Sequence, residues 1–285
     1  MPAVNVGMSS IPDQVRDPDN PELVEGSGTK TITIKQMKKL LGLLLIGSSL
    51  ALISCETTRE ISFNQDGSGK MVTTTDMSSL IGIAKMSGKD MDKEDKALDT
   101  TIALDKMVDS IPDLSADEKD LVKKGILGLN INMKEEKLIT KLEFPFTNTS
   151  QIAKLDQVSM KVMQQAMKKQ ATEGEGAPPI PDDEMPKASM DDYFTITYGK
   201  GVIEKKHIAE KYATVGEDKS MQALKEMAGQ GMPMNTTLIY NLPKPAKKAE
   251  GKNVKLSEDK KKVTITSSVD DFFDDVTKLE FKIEY

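Results

Sequence analysis

Hydrophobic and polar positions alternate with period two in several stretches of this chain, and period two is the signature of a half-buried strand. In EISFNQ, Ile61 and Phe63 alternate with polar residues, DGSG supplies a tight turn, and KMVTTT returns, so residues 60–75 predict a hairpin. LNINMK places Leu129, Ile131 and Met133 on one face. After a turn at Glu135-Glu136, Leu138, Leu142, Phe144 and Phe146 line one face of a second hairpin. DYFTITYGKGVIEKKHIA predicts a third around Gly199-Lys200-Gly201, and further strands lie in TTLIYNL, KNVKLS, KKVTITS and KLEFKIEY.

Between these runs the apolar spacing becomes helical. Asp76 or Ser78 can cap a helix through Met86 that carries Leu80, Ile81 and Ile83. Leu98, Ile102, Asp105 and Val108 lie near one helical face, with Leu104 and Met107 widening the apolar arc, predicting a helix that stops before Pro112. Ser115 with Glu118 forms a capping-box pattern, opening a helix to about Leu127. The longest helix starts at Thr149 or Ser150 and buries Ile152, Leu155, Val162, Met163, Ala166 and Met167, and another spans about Lys219 to Ala228. The total is about ten strands and four to five helices, mostly hairpin-linked, which predicts an α+β fold built on antiparallel sheet.

One stretch fits neither period. Residues 37–55 read MKKLLGLLLIGSSLALISC, with Lys38 and Lys39 ahead of a 14-residue run, Leu40 to Ile53, that is apolar apart from two glycines and two serines. That length falls short of the roughly 20 residues a membrane-spanning helix needs and suits a signal-peptide core. Cys55, the only cysteine of the 285 residues, closes the run. Leu52-Ile53-Ser54-Cys55 resembles the lipobox of bacterial lipoproteins. The resemblance implies cleavage after Ser54, a lipid on Cys55 as the new N-terminus, and membrane attachment through that lipid. The alternatives are an uncleaved signal anchor or a buried helix, and Leu40 to Leu45 lacks the polar stripe of a packed helix.

The remaining chain then divides. Residues 1–36 are rich in Pro, Gly and acids, which predicts a disordered extension upstream of a true start at Met37, or else a cytoplasmic extension. Residues 37–54 are the signal peptide and Glu56 to Arg59 a brief tether. Residues 55–170 make a first α+β portion, 171–190 a Pro/Gly/acid-rich loop or linker, and 191–285 a second, mainly β portion packing with the first.

Charge and composition narrow the partners. The net charge of −6 falls wholly on residues 55–285, which carry 34 basic and 40 acidic side chains, and this argues against a nucleic-acid partner. With no tryptophan and 4% aromatic residues, the chain lacks the platforms used to stack sugars or bases.

The candidates for chemistry are few. His207 is the only histidine and is flanked by lysines; with Cys55 acylated, no His/Cys zinc site or Cys–His dyad can form. No G-x-S-x-G elbow is present, and DGSG lacks the lysine of a phosphate cradle. The carboxylate groups are Asp182-Asp183-Glu184, Asp191-Asp192, and Asp270-Asp271 with Asp274-Asp275. They read as solvated surface, although Asp271 and Asp275 on one helical face could offer oxygens to calcium. Among 18 methionines, Met160, Met163 and Met167 share a helical spacing; this reads as adaptable packing or partner surface, with Cu(I) ligation as the alternative. No catalytic, metal or cofactor site is assigned.

A second resemblance covers residues 57–285. DGSG followed by a strand, the helices, and YNLPKPAKKAEGKNVKLSEDKKKVTI before a closing strand are similar to the LppM-like lipoprotein domain of envelope proteins. This chain departs from that pattern in lacking a tryptophan on the penultimate strand and a second membrane segment. The resemblance implies no catalytic residues. Together these readings describe a lipid-anchored envelope protein with a non-catalytic structural or protein-binding role. Glu56, where inner-membrane lipoproteins carry aspartate, leans to the outer membrane if there are two. A calcium- or copper-binding lipoprotein and a hydrolase using acidic residues are the competing classes.

Overall fold

A computed structural model describes residues 55–86, 97–173, 189–230 and 234–285. The residues expected to form the signal peptide and the extension before it, and most of the expected 171–190 loop, lie outside these. The first hairpin is β1 (Cys55–Phe63) and β2 (Gly69–Asp76), joined by a turn in which Gly67 takes φ +83°, a conformation costly for any residue with a Cβ. Helix α1 (Ser78–Met86) follows, then β3 (Ala97–Ala103), two 3₁₀ turns, and α2 (Ala116–Val122). Strands β4 (Ile126–Asn132) and β5 (Lys137–Phe146) form the second hairpin. After α3 (Ile152–Glu173) come a 3₁₀ turn (Met190–Tyr193) and the third hairpin, β6 (Phe194–Gly199) with β7 (Val202–His207). The remainder is α4 (Ala209–Tyr212), α5 (Lys219–Gly229), β8 (Met234–Asn241), β9 (Lys248–Glu250), β10 (Val254–Leu256), β11 (Lys262–Ser268), α6 (Val269–Asp274) and β12 (Phe281–Glu284).

The fold is α+β. Eight strands form one sheet in the order β10-β11-β8-β1-β2-β5-β4-β3, and β6-β7-β12-β9 form a second. Every pairing is antiparallel except β1 with β8, which run parallel from Cys55↔Met234 to Ser62↔Asn241. Strands on the C-terminal side of residue 191 thus complete the large sheet that β1 begins.

The main core lies on one face of that sheet. Ile61, Phe63, Met71, Leu142, Phe144 and Tyr240 meet Ile152, Leu155, Val158 and Val162 of α3, and Ile203, Phe281 and Ile283 of the small sheet join them. A smaller cluster gathers around Phe272, with Tyr193, Phe194, Met221, Val276 and Leu279. Tyr193, Tyr212 and Phe273 meet the Phe272 ring edge to face, at centroid distances of 5.0–5.6 Å.

Three expectations need correction. Residues 98–108 are not a helix: Leu98 to Ala103 form the edge strand β3, paired with β4 from Leu98↔Ile131 to Ala103↔Ile126. The β-branched run Thr100-Thr101-Ile102 suits a strand, and the open edge of β4 supplies the ladder; Leu104 and Val108 are then buried by 3₁₀ turns. The helix opened by Ser115 has the expected capping box but ends at Val122. Gly125 follows, and a Cβ there would collide with the Phe144 ring, so the chain must pass close to the core before β4. Finally, Glu56 to Arg59 are no tether. They lie within β1, between β2 and β8, in the interior of the sheet.

Candidate functional site

Cys55 is the first residue of β1 and pairs with Met234 of β8, while Glu56 pairs with Asp76 of β2. It is partly exposed, and its Sγ lies 3.9 Å from Ser79 Oγ at the start of α1. Helix α1 is held over this end of the sheet by two bonds to β5: Met77 N–H donates to the Leu138 carbonyl, and Leu138 N–H donates to Ser78 Oγ. The lipobox residues Leu52, Ile53 and Ser54 lie outside the described residues.

A second arrangement joins the two sheets. Residues 59, 61 and 63 share a face of β1, so Arg59 stands in phase with the buried Ile61 and Phe63. Its Nη1 lies 3.2 Å from Asp156 Oδ1 of α3 and donates to Asp191 Oδ2 at 3.1 Å. Asp191, in the 3₁₀ turn before β6, also accepts from Lys205 Nζ at 2.6 Å. Lys205 stands in phase with Ile203 on β7 and is only 5% exposed. Its ammonium also sits 4.3 Å from the Phe194 ring centroid. The Tyr198 and Tyr240 phenols lie beside this cluster.

Two positive and two negative charges therefore share one partly enclosed region, with Asp191 the most exposed of the four, and their environments split the carboxylates. Burial opposes ionisation of Asp191, but Lys205 and Arg59 outweigh it and hold its carboxyl below the usual range. Burial dominates at Asp156 and pushes it up to about 6, with Arg59 pulling the other way and Asp191 adding to the rise. The geometry accounts for this difference. Asp156 Oδ1 is near Arg59 yet accepts no hydrogen bond, and Arg59 Nε and Thr73 Oγ1, on paired residues, are likewise unbonded. Burial of the Tyr198 and Tyr240 phenols raises both of their pKa values. The chemistry of this cluster is charge pairing across a layer interface: Arg59 and Asp156 belong to the large sheet and its helix, Asp191 and Lys205 to the small one.

The other sequence candidates are dispersed. His207 ends β7, where its backbone N–H donates to Glu280 Oε1 and its Nδ1 lies 2.6 Å from that same oxygen. Asp191 departs from the solvated surface expected for it. Asp271 and Asp275 share no site. Asp271 completes the Ser268 capping box and accepts from Lys278 at 2.7 Å, whereas Asp275 lies past the end of α6 and accepts from Lys252 at 2.8 Å. Lys252 and Thr277 lower the Asp275 pKa to about 2. Among the described residues no group of three His, Cys, Asp or Glu side chains is placed to hold a metal ion. Met71 and Met221 are core residues, and Met163 packs against the main core.

Arg59, Asp156 and Lys205 were not legible as a group. Two of them did carry a signal, a charged side chain standing in the buried phase of a strand. No family model matches the chain, and neither a curated protein nor a solved structure matches it. Among the described residues no helix is long and apolar enough to cross a membrane.

Proposed function

We propose that the chain is a lipid-anchored cell-envelope protein whose α+β body has a non-catalytic, structural or protein-binding role. One observation carries the reading: the order Lys38-Lys39, apolar run and Leu-Ile-Ser-Cys ends on a cysteine that opens an interior strand at one end of the large sheet. Cleavage before Cys55 would leave every residue of β1 in place. The thiol would carry a diacylglyceryl thioether, whose two acyl chains make attachment stable where one chain alone binds a membrane only marginally, and a further acyl group on the new α-amine would add a third. The same sequence argument favours the outer membrane over the inner if there are two. The resemblance to LppM-like domains and the scarcity of catalytic residue types support the non-catalytic half.

The test is fractionation of cells expressing the full chain or Cys55→Ser. The full chain should float with membranes and take up labelled palmitate; the variant should be unlabelled and either soluble or unprocessed. Equal labelling and equal flotation of the two would end the proposal.

A further inference from the structure

We infer that the Cys55 end of the large sheet is itself a membrane-contact surface, with the first turn of α1 and the start of β3 seated in the headgroup–acyl boundary. This rests on the lipid-anchor reading above and adds an orientation to it. The bilayer is the occupant because the apolar run of the sequence ends where β1 begins, at Cys55. Four extended residues between lipid and sheet would have given about 14 Å of slack. Instead Cys55 is paired within the sheet and Glu56 is paired on both sides, with Asp76 and with Asn235. A lipid on the Cys55 thiol, or an uncleaved apolar run before it, would bring this end of the sheet to the bilayer.

The register shows which side chains would arrive with it. The row through Glu56 runs across Asp76, Ile139, Asn130 and Asp99, four strand spacings or about 19 Å. Leu98 lies one residue beyond Asp99 at this end of edge strand β3 and is 44% exposed. Leu80 is 38% exposed on α1, next to Ser79, which touches Cys55. The helix reads SSLIGIAKM, apolar but for its two serines and Lys85, and it buries Ile81 while presenting Leu80 outward. Lys85, near the helix end, is ion-paired with Glu136 at 3.1 Å, so Leu80 is the side chain this turn offers to the headgroup–acyl boundary. By contrast Leu256, also exposed, is in the row through Val263, Tyr240 and Ile61, about 20 Å farther along the strands.

The chain contains no tryptophan, so one introduced indole reports on one position. The experiment uses the full, processed protein reconstituted into phosphatidylcholine vesicles, with and without bromine on the acyl chains, and carrying Leu80→Trp, Leu98→Trp or Leu256→Trp. Flotation is scored on the same samples. Leu80→Trp and Leu98→Trp should each emit to the blue and lose about half their intensity to brominated lipid, while Leu256→Trp is unchanged, as expected for side chains held at the interface. Anchored protein in which all three are quenched equally, or none is, would overturn the contact surface and leave the anchor standing. Protein that does not float would overturn both.

Discussion

At the residue scale the informative positions are charges standing where the alternation calls for apolar side chains. Arg59 and Lys205 occupy the buried phases of β1 and β7, and Asp191 serves both. Withdrawing such charges from water is expensive, so removing one partner should cost far more than the pair contributes in net terms. Asp191→Asn, which leaves Lys205 without its carboxylate, should destabilise the fold by roughly 3 kcal/mol in urea titrations. Asp156 should behave oppositely. Its ordinary value is 3.8 and the fold raises it to about 6, so the folded state binds that proton more tightly than the unfolded chain does. The stabilisation is therefore fully present below about pH 4 and is lost as the pH rises through about 6. Between pH 4 and 7 the wild type should lose on the order of 2 kcal/mol relative to Asp156→Asn. A pH-independent difference between the two would show that Asp156 titrates normally.

At the scale of elements, hairpins were the most legible part of the chain. The turns at 64–68, 133–136 and 200–201 are marked by Gly, Asp, Glu or Lys between alternating runs, and all three hairpins form. Their partners beyond the hairpin were not legible. The parallel pairing of β1 with β8 joins residues about 180 positions apart, and nothing local specifies it. The same limit explains β3, whose apolar spacing at Leu98 and Ile102 is compatible with a helix until β4 offers an open edge. Edge position and exposure have a measurable consequence. Amides of β3 should exchange with deuterium orders of magnitude faster than those of β1, which is bonded on both sides. Equal protection of the two strands would imply that another element covers the β3 edge.

For the whole molecule, the chain's entry point organises the account. Cys55 was legible as a lipidation candidate because a basic pair, a short apolar run and the cysteine occur in order. That it belongs to an interior strand was not, because Cys-Glu-Thr-Thr-Arg has no apolar alternation of its own and is recruited by Thr73 to Asp76 on one side and Met234 to Leu238 on the other. The charge cluster was hidden for a related reason: its members come from residues 59, 156, 191 and 205 and meet only when the two sheets pack. Were Cys55 to carry the proposed lipid, the pairing of β1 on both sides would leave no extended tether between that lipid and the sheet. The claim on which this depends most directly is the chemistry of Cys55, and intact mass spectrometry of the protein extracted from membranes measures it. The predicted result is a chain that begins at Cys55 and carries a diacylglyceryl thioether, with or without a further acyl group on its α-amine. A chain with unmodified Cys55, or one that still carries residues 37–54, would contradict the account.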